Sequence, residues 1–145
     1  MSVGLERFGD RWSLLVVRDL MVRGLHTFRE FQASGEGIAS NVLADRLRRL
    51  QAAGIVAAEA ERSDRRQVNY RLTGKGIDLA PVLLDLFVWS ARHERTDFPC
   101  EWTGMMENRR EWVLQEVRRR WEARDLTPLL PPPKRSRLKK GEKGR

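Results

Sequence analysis

The chain has 145 residues, 41% of them hydrophobic and 33% charged, with a formal net charge of +8. That length and apolar content predict one domain with an appendage, and no apolar run approaches the roughly 18 residues that a membrane helix needs. The start of the chain lacks a basic region followed by an apolar block, so no signal peptide is expected, and the lone Cys100 excludes an internal disulfide and fits a reducing cytoplasm. The charge is uneven. Residues 131–145 carry +6 and residues 1–130 only +2, so a nucleic-acid surface on the folded part must be local. Residues 39–72 do concentrate it, with 7 arginines against 4 acids.

In chain order, Leu5 to Phe8 is a short apolar-polar segment closed by Gly9. Asp10 then reads as an N-cap for a mostly buried helix from Trp12 to Met21 that ends near Gly24. Thr27 caps a second helix, with Glu30 three residues on completing a capping box. Phe28 and Phe31 face inward from it, and Ala33 to Gly37, with two glycines, is a turn.

The next segment, 39–53, carries the argument for function. Val42, Leu43, Leu47 and Leu50 recur at three- and four-residue steps and form an apolar side. The opposite side shows Ser40, Asn41, Ala44, Asp45, Arg48 and Arg49, polar and basic with short residues near its start. A helix whose N-terminal half enters a major groove needs such a face, because Asn and Arg read base edges and small neighbours permit close approach. Taken alone, the pattern also fits an ordinary surface helix. Gly54 is its expected C-cap.

The segments on its C-terminal side favour the groove. Ile55 to Glu61 and Gln67 to Leu72 are strand-like, with Val68, Tyr70 and Leu72 alternating, and Arg62 to Arg66 joins them as a polar tip. Helix, turn, helix and a two-stranded ribbon with a basic tip is the order of a winged helix-turn-helix, a mainly α fold with a small β-wing. Asn41 and Arg48 are the candidate base readers. Ser40, Arg46, Arg49, Arg62, Arg65 and Arg66 are candidate phosphate contacts. Asp45 has two roles open to it, accepting from a cytosine amino group or orienting a neighbouring Arg.

Thr73 is expected to cap one long helix running toward His93, with Pro81 inside it as a kink. Its stripe of Ile77, Ala80, Leu83, Leu84, Phe87, Val88 and Ala91 exceeds what the wing covers, so part of it should meet a partner subunit. Residues 105–124 read as an extra amphipathic helix with Met106, Val113, Val117 and Trp121 on its stripe. Residues 94–125 hold 7 basic and 8 acidic groups, so this extension is not assigned to DNA. It should pack on the dimer or the core, and a ligand pocket lined by Trp102, Trp112 and Trp121 is the less favoured reading. The basic, proline-rich tail at 131–145 is expected to be disordered and to bind phosphates without reading sequence.

The chain has no HExxH, CxxC or GxSxG and no glycine-rich loop after a strand, and His26 and His93 lie in different segments. An enzyme is not expected, nor a metal or cofactor. A winged helix used for protein contact is the rival from another class, and it would present exposed apolar residues where Asn41, Asp45 and Arg48 stand.

Several strings then add up to a family resemblance. Gly9 to Leu20 (GDRWSLLVVRDL), Phe28 to Gln32 (FREFQ), Gly37 to Leu50 (GIASNVLADRLRRL) and Val68 to Gly76 (VNYRLTGKG) resemble the HxlR-type winged helix-turn-helix transcriptional regulators. The helix with Pro81 and Trp89 also fits, and the likeness covers residues 3–93. It implies a homodimer on an inverted-repeat operator in double-stranded DNA, with recognition helix 39–53 and wing tip 62–66. The interface would come from the first helix and the helix at 74–93, through Leu5, Phe8, Ile77, Leu83, Leu84, Phe87 and Val88. The wing string is also similar to the MarR family, a ligand-responsive alternative that keeps an unidentified small-molecule effector open. Many HxlR-type regulators carry a sensing cysteine just before the first helix. Here the equivalent string is Met1-Ser2-Val3, so control by oxidation is not expected. The resulting organisation is a DNA-binding and dimerisation domain at 1–93, a helical extension at 94–130 and the tail at 131–145.

Overall fold

The computed structural model describes residues 2–61, 63–64, 66–95 and 100–129. Arg62, Arg65 and the basic tail lie outside them. Among the described residues the fold is mainly helical with one two-stranded sheet, as the winged helix-turn-helix reading requires. Helix α1 spans Ser2–Phe8 and α2 spans Arg11–Arg18, and a π-helical turn, Asp19–Arg23, continues α2. Helix α3 (Phe28–Gln32) and α4 (Ser40–Ala52) follow, then β1 (Val56–Ala60) and β2 (Val68–Leu72). Helices α5 (Gly74–Ile77), α6 (Ala80–His93), α7 (Cys100–Asn108) and α8 (Arg110–Glu122) complete the described elements.

The local signals act where the residue chemistry puts them. Asp10 caps α2 by accepting from the Ser13 backbone N–H at 3.0 Å and the Ser13 hydroxyl at 2.7 Å. Thr27 and Glu30 form the reciprocal capping box that opens α3. Gly24 ends the π-helical turn at φ 70°, and a Cβ there would collide with the Leu126 carbonyl. The C-terminal segment therefore lies directly on this glycine.

The strands pair antiparallel, Val56 opposite Leu72 and Ala60 opposite Val68. A bridge between Thr27 and Asn69, with the Tyr70 N–H donating to the His26 carbonyl at 2.7 Å, fastens the wing to the entry of α3. Leu43, Leu47 and Leu50 of α4 are buried with Val16, Val17 and Phe31. Each such burial contributes about 1.5–3 kcal/mol, enough to lock the orientation of α4.

Three sequence expectations change. Leu5 to Phe8 is the end of a seven-residue helix, α1, with no buried residue. The long helix expected after Thr73 is two helices, because Pro81 sits in the first turn of α6, where its missing N–H costs nothing. Thr73 caps only the short α5, through the Gly76 N–H. The extension likewise forms two helices, meeting at Arg109.

That extension folds onto the core. Met106, Val113 and Val117 are buried in the same apolar cluster as α2 and α4. The Leu129 N–H donates to the Val22 carbonyl at 2.8 Å, closing the described chain against the π-helical turn.

Candidate nucleic-acid interface

Helix α4 follows the turn after α3, and its three buried leucines fix which side faces out. Ser40, Asn41, Ala44, Arg48 and Arg49 are exposed along that outward side. The side chains of Arg48 and Arg49 are 73% and 66% exposed. Ser40 accepts a hydrogen bond from the Gln32 amide, so the end of α3 is tied to the first turn of α4. Sequence periodicity had not singled out Gln32. No period of one helix reports a contact between two.

Asp45 is the electrostatic centre of this face. It accepts from Arg48 at 2.5 Å and Arg46 at 2.6 Å and pairs with Arg49 at 2.8 Å. Partial desolvation pushes its carboxyl up, but the Arg48 hydrogen bond and the charges of Arg49, Arg48 and Arg46 outweigh that and hold it below the usual range. Of the two roles open to Asp45, orienting arginines is the one the geometry carries.

Arg46 departs from its expected place among the phosphate contacts. Its side chain is only 21% exposed, and its Nε donates to Asp10 at 2.8 Å while Nη1 holds Asp45. It therefore joins the cap of α2 to α4. The reason lies in the helix geometry: Arg46 stands three residues after the buried Leu43 and four before the buried Leu50, so it flanks their stripe, whereas Arg48 and Arg49 turn away from the core. Burial raises the Asp10 carboxyl, yet the Ser13 hydrogen bonds and Arg46 overcome this and keep it low.

At the wing, Arg66 is exposed, and its backbone N–H donates to the Asp64 carboxylate at 2.9 Å in a turn closed by Gln67 N–H to Asp64 C=O. Asp64 thus shapes the tip. The Asn69 amide donates to Glu61 across the ribbon, bracing its outer end. Among the described residues no group of His, Cys, Asp and Glu could hold a metal ion, and no helix is long and apolar enough to cross a membrane.

The residues expected at a dimer interface divide. Ile77 and Leu84 are buried inside the chain's own core, at 2% and 6% exposure, and are not available to a partner. Both belong to the core cluster that holds Val16, Val17, Leu43 and Val56. Phe8, Leu83, Phe87 and Val88 are half-buried and Leu5 is exposed. The outward apolar residues of α6 are Val82, Leu86 and Trp89.

The model of the HxlR-like helix-turn-helix family matches residues 7–97. The chain belongs to that family. An uncharacterized HTH-type transcriptional regulator of Bacillus subtilis, YvaP, is 32% identical over 86 residues, covering 59% of this chain and 79% of that protein. A second HTH-type transcriptional regulator, from Mycobacterium tuberculosis, is 37% identical over 90 residues, 61% of this chain. That match spans only 56% of the mycobacterial protein, little more than half its length. Among solved structures, the redox regulator HypR in its oxidized form superimposes with a TM-score of 0.59 at 28% identity, over 66% of this chain and 97% of HypR. The HxlR-like match ends before α7, so the extension α7–α8 lies outside it.

Proposed function

We propose that this HxlR-like chain is a transcriptional regulator that binds an inverted-repeat site in duplex DNA as a homodimer. The observation that carries the reading is the outward face of α4, where Asn41 and Arg48 stand exposed beside Arg49 and the buried leucines fix their direction. A helix-turn-helix inserts its second helix in the major groove, and Arg and Asn there form bidentate contacts with guanine and adenine. Ser40, Arg49 and the wing arginines Arg62, Arg65 and Arg66 are the phosphate contacts of this reading. Arg46 supports α4 from behind. The family membership and the regulators it resembles favour DNA over a protein partner, and so does the absence of large exposed apolar side chains on α4 among the described residues.

In the proposed dimer, α1 and the outward side of α6 supply the interface, through Leu5, Val82 and Trp89. A two-fold dimer then places its half-sites about one helical turn apart, roughly 34–36 Å. Selection of bound duplexes from a random library tests this reading. A recovered inverted repeat, footprinted on both halves, supports it. Recovery of no sequence preference, with equal affinity for all duplexes, would remove it.

A further inference from the structure

An apolar cavity of about 470 Å³ has walls from α2, the π-helical turn, α6, α7 and α8. Leu14, Leu83, Phe87, Met106, Val113 and Leu114 are among its lining residues, and almost all of the lining is carbon. Its charged lining is already internally paired: Arg18 meets Glu36 at 3.0 Å and Asp19 at 2.6 Å, and Arg11 meets Glu36 at 3.8 Å. The Ser90 hydroxyl donates to the Leu86 carbonyl at 2.8 Å. A charged ligand would have to break one of these pairs, and an apolar one breaks none.

We propose that this cavity is the binding site of a compact, uncharged, largely apolar molecule of bicyclic size. Ligand pockets run to roughly 300–1,000 Å³ with mostly hydrophobic walls, and this cavity falls inside that range. A second copy of the chain is the rival occupant, and the experiment separates the two. The exposed Val82 and Trp89 lie outside the lining and remain free for a partner.

Two further features point to a ligand. Met21 and Val22 of the lining belong to the π-helical turn, a rare geometry that concentrates at functional sites. Met21 and Met106 add unbranched, adaptable side chains that mould to an apolar guest. The wall from α7 and α8 lies beyond the family match, so this site is a property of the extension as much as of the winged helix. It does not depend on the DNA reading, since no residue of the α4 face lines it.

The test is fluorescence titration of the full chain with N-phenylnaphthylamine, an uncharged bicyclic naphthalene carrying a phenylamino group, which brightens in apolar sites. The expected result is saturable binding of one probe per chain. Ala91→Trp, which fills the cavity from α6, should weaken it by at least about tenfold. Leu114→Trp does the same from α8 and serves if the first variant fails to fold by circular dichroism. Val82→Ser, outside the cavity, should leave the titration unchanged. The proposal is overturned if no saturable binding occurs, or if folded cavity-filling variants bind as the parent does. It is equally overturned if binding emerges only after Val82→Glu dissociates a dimer, since a second copy would then be the occupant.

Discussion

The Trp121 indole N–H donates to the Leu72 carbonyl at 2.8 Å, and Arg71, beside Leu72, donates back to the Trp121 carbonyl at 2.5 Å. This reciprocal pair ties the end of α8 to the last residues of β2. The Arg71 guanidinium also lies 5.0 Å from the centre of the Trp121 ring. Arg124, just past α8, reaches Glu59 on β1 at 2.9 Å. The extension outside the family match is thereby a brace for the wing. Trp121→Phe, which keeps most of the ring but loses the donor, should cost about 1–2 kcal/mol of stability in urea unfolding. Trp121→Ala should cost more, about 2–4 kcal/mol. Equal stability of both variants and parent would show that the brace carries no load.

Neighbouring arginines on α4 should separate fold from binding. Arg46→Ala removes the bridge between Asp10 and Asp45 and should lower stability by about 1–3 kcal/mol. Arg48→Ala should leave the thermal midpoint close to that of the parent and weaken binding to the selected duplex by about 1–3 kcal/mol, with little change on random DNA. Fluorescence anisotropy on both duplexes, beside thermal unfolding, distinguishes the two. Equal losses of Arg48→Ala on specific and random DNA would make Arg48 a phosphate contact.

Two positions on α6 should report different things. Val82→Glu combined with Trp89→Glu places charge on exposed apolar positions outside the cavity and should yield a folded monomer in sedimentation. Leu84→Ala opens a hole in the core and should cost about 2–5 kcal/mol without changing the oligomeric state of the folded fraction. A stable dimer in the double variant would move the interface elsewhere.

Acid should destabilise the protein through carboxylates held in the ionised form. Arg119 and Arg120 hydrogen-bond Glu116 and hold its carboxyl down at about 2. Arg124 keeps Glu59 low, and Asp10 is low despite its partial burial. For groups depressed in the folded state, the unfolded chain binds more protons as pH falls. Their contribution is therefore complete above roughly pH 5 and is lost progressively toward pH 2. Thermal midpoints should fall steadily over that window, and Asp10→Asn should flatten the curve. A midpoint independent of pH there would contradict the sign.

Much of this molecule is local and was legible in the chain. Asp10, Thr27 with Glu30, Gly24 and Gly54 mark helix ends by chemistry within a few residues, and all act at those ends in the structure. The leucine spacing of 39–53 determined which side of α4 points out, because burial follows the period of the helix. Pro81 shows where the reading stopped short. The apolar stripe continues across it, and only the turn at Asp78 and Leu79 places it at a helix start. Arg46 looked like its neighbours because charge type says nothing about a partner 36 positions away at Asp10. Ile77 and Leu84 looked like interface residues because an apolar stripe does not state which body covers it. The return of α8 onto the wing through Trp121 and Leu72, 49 positions apart, was likewise decided by tertiary packing alone. Patterns within one turn are set by neighbouring residues, whereas long-range pairs exist only once separate elements share a core.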